Sequence, residues 1–94
     1  MRLVFTEHAR LRLIERKIDI REVEKVILKP EWKFYDLKNR CNVAIGKRKK
    51  EGHYLIVVYG ISKEFVEVIT VIDTSKRLEK IIKTKVKSRR WVKL

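Results

Sequence analysis

The period of the apolar pattern changes at Pro30, and this change constrains the fold more than any other feature of the sequence. Before Pro30, apolar residues recur at helical spacing, as on the buried side of a helix. After Pro30, apolar and polar residues alternate in the runs WKFYDL, RCNVAIGK, HYLIVVYG and FVEVITVID, with turn-forming residues between the runs. Such alternation is typical of strands. We therefore expect two helices followed by a meander of four strands.

Capping residues set the limits of the two predicted helices. Thr6 is suited to cap the first helix, because its side-chain oxygen can accept a hydrogen bond from the first turn. The following segment HARLRLIERK contains no Gly, Pro or β-branched run, so it is compatible with a helix. Asp19 is suited to cap the second helix, which is predicted over about residues 20–28. Pro30 ends this helix, since the residue before a proline avoids the helical conformation.

The expected fold class is α+β, with two N-terminal helices packed on a four-stranded antiparallel sheet. The first strand carries Lys33 and Asp36, which suit a sheet edge, whereas the third and fourth strands are apolar enough to be central. Residues 1–75 would form this domain, and residues 76–94 a basic C-terminal helix or tail. That helix could cover the second face of the sheet. Alternatively, the apolar residues of the third and fourth strands form a homodimer or partner surface.

The charge of the chain predicts a polyanionic partner. The 94 residues include 25 Lys and Arg against 12 Asp and Glu, which gives a formal net charge of +13. Residues 76–94 carry nine of the basic side chains and one of the acidic ones. No apolar run approaches the roughly 18 residues of a membrane span, and the N-terminal residues lack the apolar stretch of a signal peptide. We therefore expect a single cytoplasmic domain that binds nucleic acid and no membrane.

The sharpest chemical signal lies on the first predicted helix. His8, Arg12 and Arg16 share one stripe of that helix, next to Ala9 and Leu13 on the predicted core side. Arginine binds phosphate oxygens through paired hydrogen bonds, and histidine exchanges a proton near neutral pH. The stripe is therefore predicted to bind a phosphate backbone. In the alternative interpretation, the arginines lie over the core edge and pair with Glu15, Asp36, Glu67 or Asp73.

Two other basic regions are candidate nucleic-acid contacts. The predicted hairpin tip contains Lys47, Arg48, Lys49 and Lys50. The C-terminal segment contributes Lys76, Arg77, Lys80, Lys83, Arg89 and Arg90, together with Trp91, whose ring is predicted to be available to stack on a base. In the alternative interpretation, the hairpin run is a solvated turn that discourages strand pairing, and the tail lies on an anionic membrane.

The remaining candidates are weaker. His53 and Tyr59 would reach a site on the sheet if the strand register brought them together, although such residues are more often ordinary strand residues. The single cysteine, Cys41, cannot form an intramolecular disulfide, and with only two histidines no metal-ligand cluster has the usual spacing. We therefore expect no metal and no cofactor. The absence of Gln and the abundance of Ile, Val, Lys and Glu indicate a thermophilic source.

The segment FTEHARLRLIERKIDIREVEKVILKPE contains the pattern His-Ala-x-x-Arg-(Leu/Met)-x-x-Arg, followed by a second helix and a proline. This pattern resembles that of an uncharacterised domain family grouped with the RelE, ParE and BrnT toxins. The resemblance implies a RelE-like fold and metal-independent cleavage of messenger RNA, often at the ribosome. The matching positions are His8, Ala9, Arg12, Leu13 and Arg16. The last strand, ending EVITVIDTSK, lacks the arginine or tyrosine that RelE itself would lead us to expect there.

The residues and the resemblance together predict an RNA-binding, metal-independent endoribonuclease of a toxin–antitoxin type system. His8 would transfer a proton, Arg12 and Arg16 would clamp the phosphate, and His53 or Tyr59 would be a second proton carrier. RNA, the ribosome and an acidic antitoxin are the expected partners. The alternative is a non-catalytic module that binds nucleic acid or the ribosome through the same basic surface.

Overall fold

A computed structural model describes residues 2–75 and 77–94 of the chain. In chain order, the elements of this described part are β1 (Leu3–Phe5), α1 (Glu7–Glu15), α2 (Ile20–Leu28), β2 (Trp32–Asp36), β3 (Cys41–Lys47), β4 (Tyr54–Ile61), β5 (Val66–Thr74), α3 (Leu78–Lys87) and β6 (Trp91–Lys93). None of the helices among them is long and apolar enough to cross a bilayer.

Side-chain hydrogen bonds fix the start of each N-terminal helix. The Thr6 hydroxyl accepts a hydrogen bond from the Ala9 N–H at 3.1 Å and donates one to the carbonyl of Ile69, on β5, at 2.7 Å. The Asp19 carboxylate accepts from the Arg21 N–H at 2.8 Å, and the Glu22 carboxylate accepts from the Asp19 N–H at 3.1 Å. This capping box satisfies backbone donors that the first turn leaves free. The Thr6 bond also ties α1 to the sheet.

Within the described residues, the sheet has six strands in the order β1-β5-β4-β3-β2-β6, and β1 runs parallel to β5. The prediction of two helices on a four-stranded antiparallel sheet is therefore wrong. The strands β2 to β5 follow one another antiparallel, but a short strand is added at each end and a third helix is present. Each added strand has only three residues, which is too short to produce a detectable alternation.

The predicted position of the first meander strand is also wrong. β2 lies inside the sheet, because β6 pairs with it antiparallel over Phe34 to Asp36. Lys33 and Asp36 suggested an edge strand, but Asp36 is 5% exposed. Its carboxylate accepts hydrogen bonds from the backbone N–H groups of Lys38 and Asn39 at 3.0 and 2.9 Å. A buried carboxylate with hydrogen-bond donors is compatible with a central strand.

Helices cover both faces of the sheet. On one face, α1 and α2 place Ala9, Leu13, Val23 and Val26 against the sheet. On the other face, α3 places Leu78 in a cluster of buried residues that also contains Phe34, Val43, Ile45, Ile56 and Trp91. The C-terminal helix thus covers part of the second face, one of the two arrangements that the residues left open. The domain has three layers, helix on sheet on helix.

Trp91 holds the C-terminal strand against the domain. Its ring is 6% exposed and stacks on Phe34, with ring centroids 5.2 Å apart. The Trp91 side chain also hydrogen-bonds to the carboxylate of Asp36. Burial acts to raise the pKa of Asp36, but hydrogen bonds from Asn39, from Trp91 and from Lys38 outweigh burial and lower this pKa below the ordinary value. The prediction that the Trp91 ring is free to stack on a base is therefore wrong, because the ring is in the core.

We expect Trp91→Ala to lower the free energy of unfolding by about 3–5 kcal/mol, since it removes a buried aromatic ring from the second core cluster. Val92→Ala is the matched control, because Val92 is the next residue of the same strand and is 45% exposed. This control should change stability by less than about 0.5 kcal/mol. Urea unfolding followed by circular dichroism measures both. Equal midpoints for the two variants would contradict the placement of β6.

Candidate functional site

The stripe of His8, Arg12 and Arg16 lines a cleft of about 380 Å³ between α1 and β5. The opposite wall consists of Thr70, Val71, Ile72 and Asp73. We call this the α1 cleft. Ala9 and Leu13 are buried against the sheet, and their burial orients α1 so that the adjacent stripe lies along β5. The structure therefore brings together the three residues that the helical spacing singled out.

The two arginines of the α1 cleft have little competition from protein carboxylates. Arg12 approaches Glu15 at 3.9 Å, with side-chain exposures of 39% and 58%. An exposed pair of this length contributes little. Arg16 makes no ion pair with any residue that the structure describes. Both guanidiniums are thus available to an anion in the cleft.

Asp73 connects the α1 cleft to a partly buried ion network. Its Oδ2 lies 3.3 Å from Nη1 of Arg48, and its Oδ1 lies 2.9 Å from Nδ1 of His53. Arg48 in turn contacts Glu22, with 3.0 Å between Nη2 and Oε2. The four side chains are between 8% and 19% exposed. Arg48 carries a single charge and contacts two carboxylates, so it offsets the charge of Asp73 only in part.

The pKa shifts within this network favour the charged forms. The hydrogen bond to Glu22 is the largest cause that raises the pKa of Arg48. Burial acts to raise the pKa of Glu22, but hydrogen bonds from Arg48 and from the Asp19 backbone outweigh it and lower this pKa. The Glu22–Arg48 pair is therefore ionised at neutral pH.

The hairpin tip divides into two kinds of residue. Lys47, Lys49 and Lys50 are exposed, and Lys47 has a weak partner in Glu31 at 3.7 Å. Arg48 lies between them in sequence, but its side chain points inward and is 8% exposed. Three of the four predicted contacts are thus at the surface, while Arg48 is engaged in the ion network.

The two predicted secondary proton carriers have different positions. His53 is partly buried and reaches the wall of the α1 cleft through its hydrogen bond to Asp73. Tyr59 is 2% exposed in the core cluster beneath α1 and α2, where burial raises the pKa of its phenol. Burial removes Tyr59 from any solvent-accessible site.

The predicted C-terminal contacts also differ in exposure. Arg77, Lys80, Lys83 and Arg89 are exposed, whereas Arg90 is partly buried and Trp91 is buried. Lys76 lies outside the described residues. The basic surface of α3 therefore remains available to a polyanion, without the aromatic ring that was predicted to accompany it.

The sequence did not single out Asp73 or Arg48 as parts of one network. A signal for part of it exists: His53 precedes β4 and Asp73 lies near the end of β5, and these strands pair antiparallel, so the two positions meet at the same end of the sheet. No periodicity predicts the Glu22–Arg48 contact. Among the described residues, no group of three or more His, Cys, Asp or Glu side chains is arranged to hold a metal ion.

The fold and the α1 cleft define a small basic α/β domain with an exposed cationic site. A family model described as "Domain of unknown function (DUF4258)" matches residues 5–84, which include the whole of α1 and the strands that face it. The chain belongs to the DUF4258 family. No curated protein and no solved structure matches it. The expected membership of an uncharacterised domain family is confirmed, and the relation of that family to RelE stays a prediction.

We expect Glu22→Gln to destabilise the protein by about 1–3 kcal/mol near neutral pH, because it removes a charged partner of Arg48. The pKa of Glu22 in the folded protein lies below its ordinary value of 4.5. Ionised Glu22 therefore contributes stability above about pH 4.5, and this contribution is lost as the pH falls through the folded-state pKa. Urea unfolding from pH 7 down to pH 3 measures the difference.

Glu24→Gln is the control for this experiment. Glu24 lies on the same helix, is exposed, and makes no ion pair with any described residue. It should change stability by less than about 0.5 kcal/mol. A Glu22→Gln effect that stays constant down to pH 3 would contradict the role assigned to the Glu22 charge.

Proposed function

We propose that this protein is a cytoplasmic, metal-independent endoribonuclease whose active site is the α1 cleft. The observation that carries the proposal is the convergence of His8, Arg12 and Arg16 on one exposed cleft. Cleavage of an RNA phosphodiester requires proton transfer and cations around the phosphorus, and these three side chains supply one proton-transfer group and two cations. The positive charge of the chain supports an RNA substrate.

In the proposed reaction, the ribose 2′-oxygen attacks the adjacent phosphorus and the bond from phosphorus to the 5′-oxygen breaks. The products are a 2′,3′-cyclic phosphate and a 5′-hydroxyl end. One group must accept the proton of the 2′-hydroxyl and another must supply a proton to the leaving oxygen. His8 performs one of these transfers. Arg12 and Arg16 offset the negative charge that develops on the phosphorane.

His53 is the second proton carrier in this proposal. Its Nδ1 is hydrogen-bonded to Asp73, a residue of the cleft wall, and Nε2 is the other ring nitrogen that can exchange a proton. A carboxylate at Nδ1 fixes the orientation of the ring. Tyr59 is not included, because its burial keeps it from substrate.

The exposed cations outside the cleft hold the RNA backbone in this proposal. They are Lys47, Lys49 and Lys50 on the hairpin and Arg77, Lys80, Lys83 and Arg89 around α3. Contacts of this kind position a strand without reading its sequence. The same surface would bind ribosomal RNA or be neutralised by an acidic antitoxin. The resemblance of the α1 motif to toxin families supports the toxin–antitoxin assignment.

A non-catalytic nucleic-acid-binding module is the second candidate function. The observation that favours it is the freedom of the Arg12 and Arg16 guanidiniums, which suffices for phosphate binding and needs no histidine. The two candidates differ in what they require of His8. Cleavage depends on its proton transfer, whereas binding does not.

We expect the protein to cleave labelled RNA in EDTA, or in the presence of translating ribosomes, and to leave 2′,3′-cyclic phosphate ends. His8→Ala should lower the cleavage rate by at least about 100-fold with little change in affinity, because it removes proton transfer alone. Arg12→Ala should reduce both the rate and the affinity. Mapping the product ends and measuring RNA binding on the same samples separates these effects.

Arg10→Ala is the matched control, since Arg10 is exposed on the same helix and does not line the α1 cleft. It should retain most of the activity. Binding without cleavage by the wild type in every condition would contradict the endoribonuclease and favour the non-catalytic module. Equal loss in Arg10→Ala and Arg12→Ala would contradict the location of the site.

A further inference from the structure

A second groove of about 450 Å³ lies beside α3, on the face of the sheet opposite to α1. We call it the α3 groove. Its floor is apolar and consists of Ile56, Val58, Ile69, Ile72 and Ile81. The other lining residues are the polar and charged side chains of Asp36, Asn39, Thr70, Lys85 and Arg90, together with Cys41 and Trp91. A concave apolar surface with a few polar groups is typical of a site for a small organic ring.

The α3 groove and the α1 cleft meet at β5. Thr70 and Ile72 line both of them. β1 pairs with β5 only opposite Val66 to Val68, so within the described chain the rest of this strand edge has no neighbouring strand. A ligand that occupies the cationic cleft can therefore continue over the edge of one strand into the apolar groove.

The polar groups of the α3 groove are compatible with a nucleotide. The carboxylate of Asp36 accepts hydrogen bonds from the backbone N–H groups of Lys38 and Asn39 and from the Asn39 side chain, which stabilise its ionised form. Arg90 and Lys85 make no ion pair with any described residue, and the buried Nε of Arg90 lacks a hydrogen-bond partner there. The groove thus offers cations that protein carboxylates do not occupy.

We propose that the α3 groove binds a nucleobase of the same single strand whose phosphate lies in the α1 cleft. The proposal rests on the proposed function for the identity of the strand, RNA. The apolar floor accepts the face of the base, and the rim accepts its polar edge. A nucleotide combines an anionic phosphate with a base whose face is apolar. The α1 cleft is suited to the phosphate, the α3 groove is suited to the base, and the two sites meet at one strand edge.

The test compares two oligonucleotides of equal length and charge: single-stranded RNA with 2′-O-methyl groups, which cannot be cleaved, and the same backbone without bases. We expect the base-containing strand to bind roughly tenfold more tightly, as base contacts usually add that much or more. Ile69→Ser should remove this preference while binding of the abasic strand stays unchanged, because Ile69 lines the α3 groove but not the α1 cleft and contributes no charge. Fluorescence anisotropy measures all affinities.

Ile61→Ser is the matched control. Ile61 is another strand isoleucine, it is 66% exposed, and it lines neither the α3 groove nor the α1 cleft. This variant should keep the full preference, and urea unfolding should show both variants folded.

Equal affinities of the wild type for the two strands would overturn the base site and leave the phosphate site of the proposed function intact. The groove would then be open to another occupant, such as an apolar segment of a protein partner. A preference that survives in Ile69→Ser would also overturn it. Failure of the wild type to bind either strand would overturn both proposals.

Discussion

The arrangement of the molecule depends on β4, whose side chains are buried on both faces of the sheet. Leu55, Ile56 and Val57 are all at most 2% exposed, and they belong alternately to the two core clusters. A strand that is apolar on both faces is stable only when both faces are covered. Helices α1 and α2 cover one face and α3 covers the other. The α1 cleft and the α3 groove consequently lie on opposite faces of the neighbouring strand β5 and meet at its edge.

Electrostatics divide the basic residues into two groups with different functions. The Arg48 side chain is largely covered and pairs with Glu22 and Asp73, so its charge contributes to folding. Arg12 and Arg16 lack a strong carboxylate partner within the described structure, and their charge is available to a ligand. Asp73 connects the two groups, because it is part of the partly buried ion network and also lines the α1 cleft. The hydrogen bond between Asp73 and His53 holds the imidazole ring next to the wall of the α1 cleft.

Local signals in the sequence predicted the features that local chemistry determines. Thr6, Asp19 and Pro30 limit the two N-terminal helices, and the four-residue spacing of His8, Arg12 and Arg16 predicts that they share one stripe of α1. The prediction of the sheet was wrong at the two ends of the sheet. The three-residue strands β1 and β6 show no alternation, and each pairs with a strand that is far away in the chain. The position of Trp91 was also predicted wrongly, because its neighbours in the sequence are basic and do not indicate that its ring packs on Phe34. The Glu22–Arg48–Asp73 network joins three separate elements, so no window of the sequence contains it.

The central claim is that the α1 cleft binds the RNA phosphate. The most direct test is to record amide and imidazole chemical shifts of the protein during titration with uncleavable 2′-O-methyl RNA. The account predicts the largest shifts at His8, Arg12, Arg16 and along Thr70 to Asp73, with smaller ones at the exposed lysines of the hairpin. Large shifts confined to the hairpin and α3, with none in the α1 cleft, would contradict it.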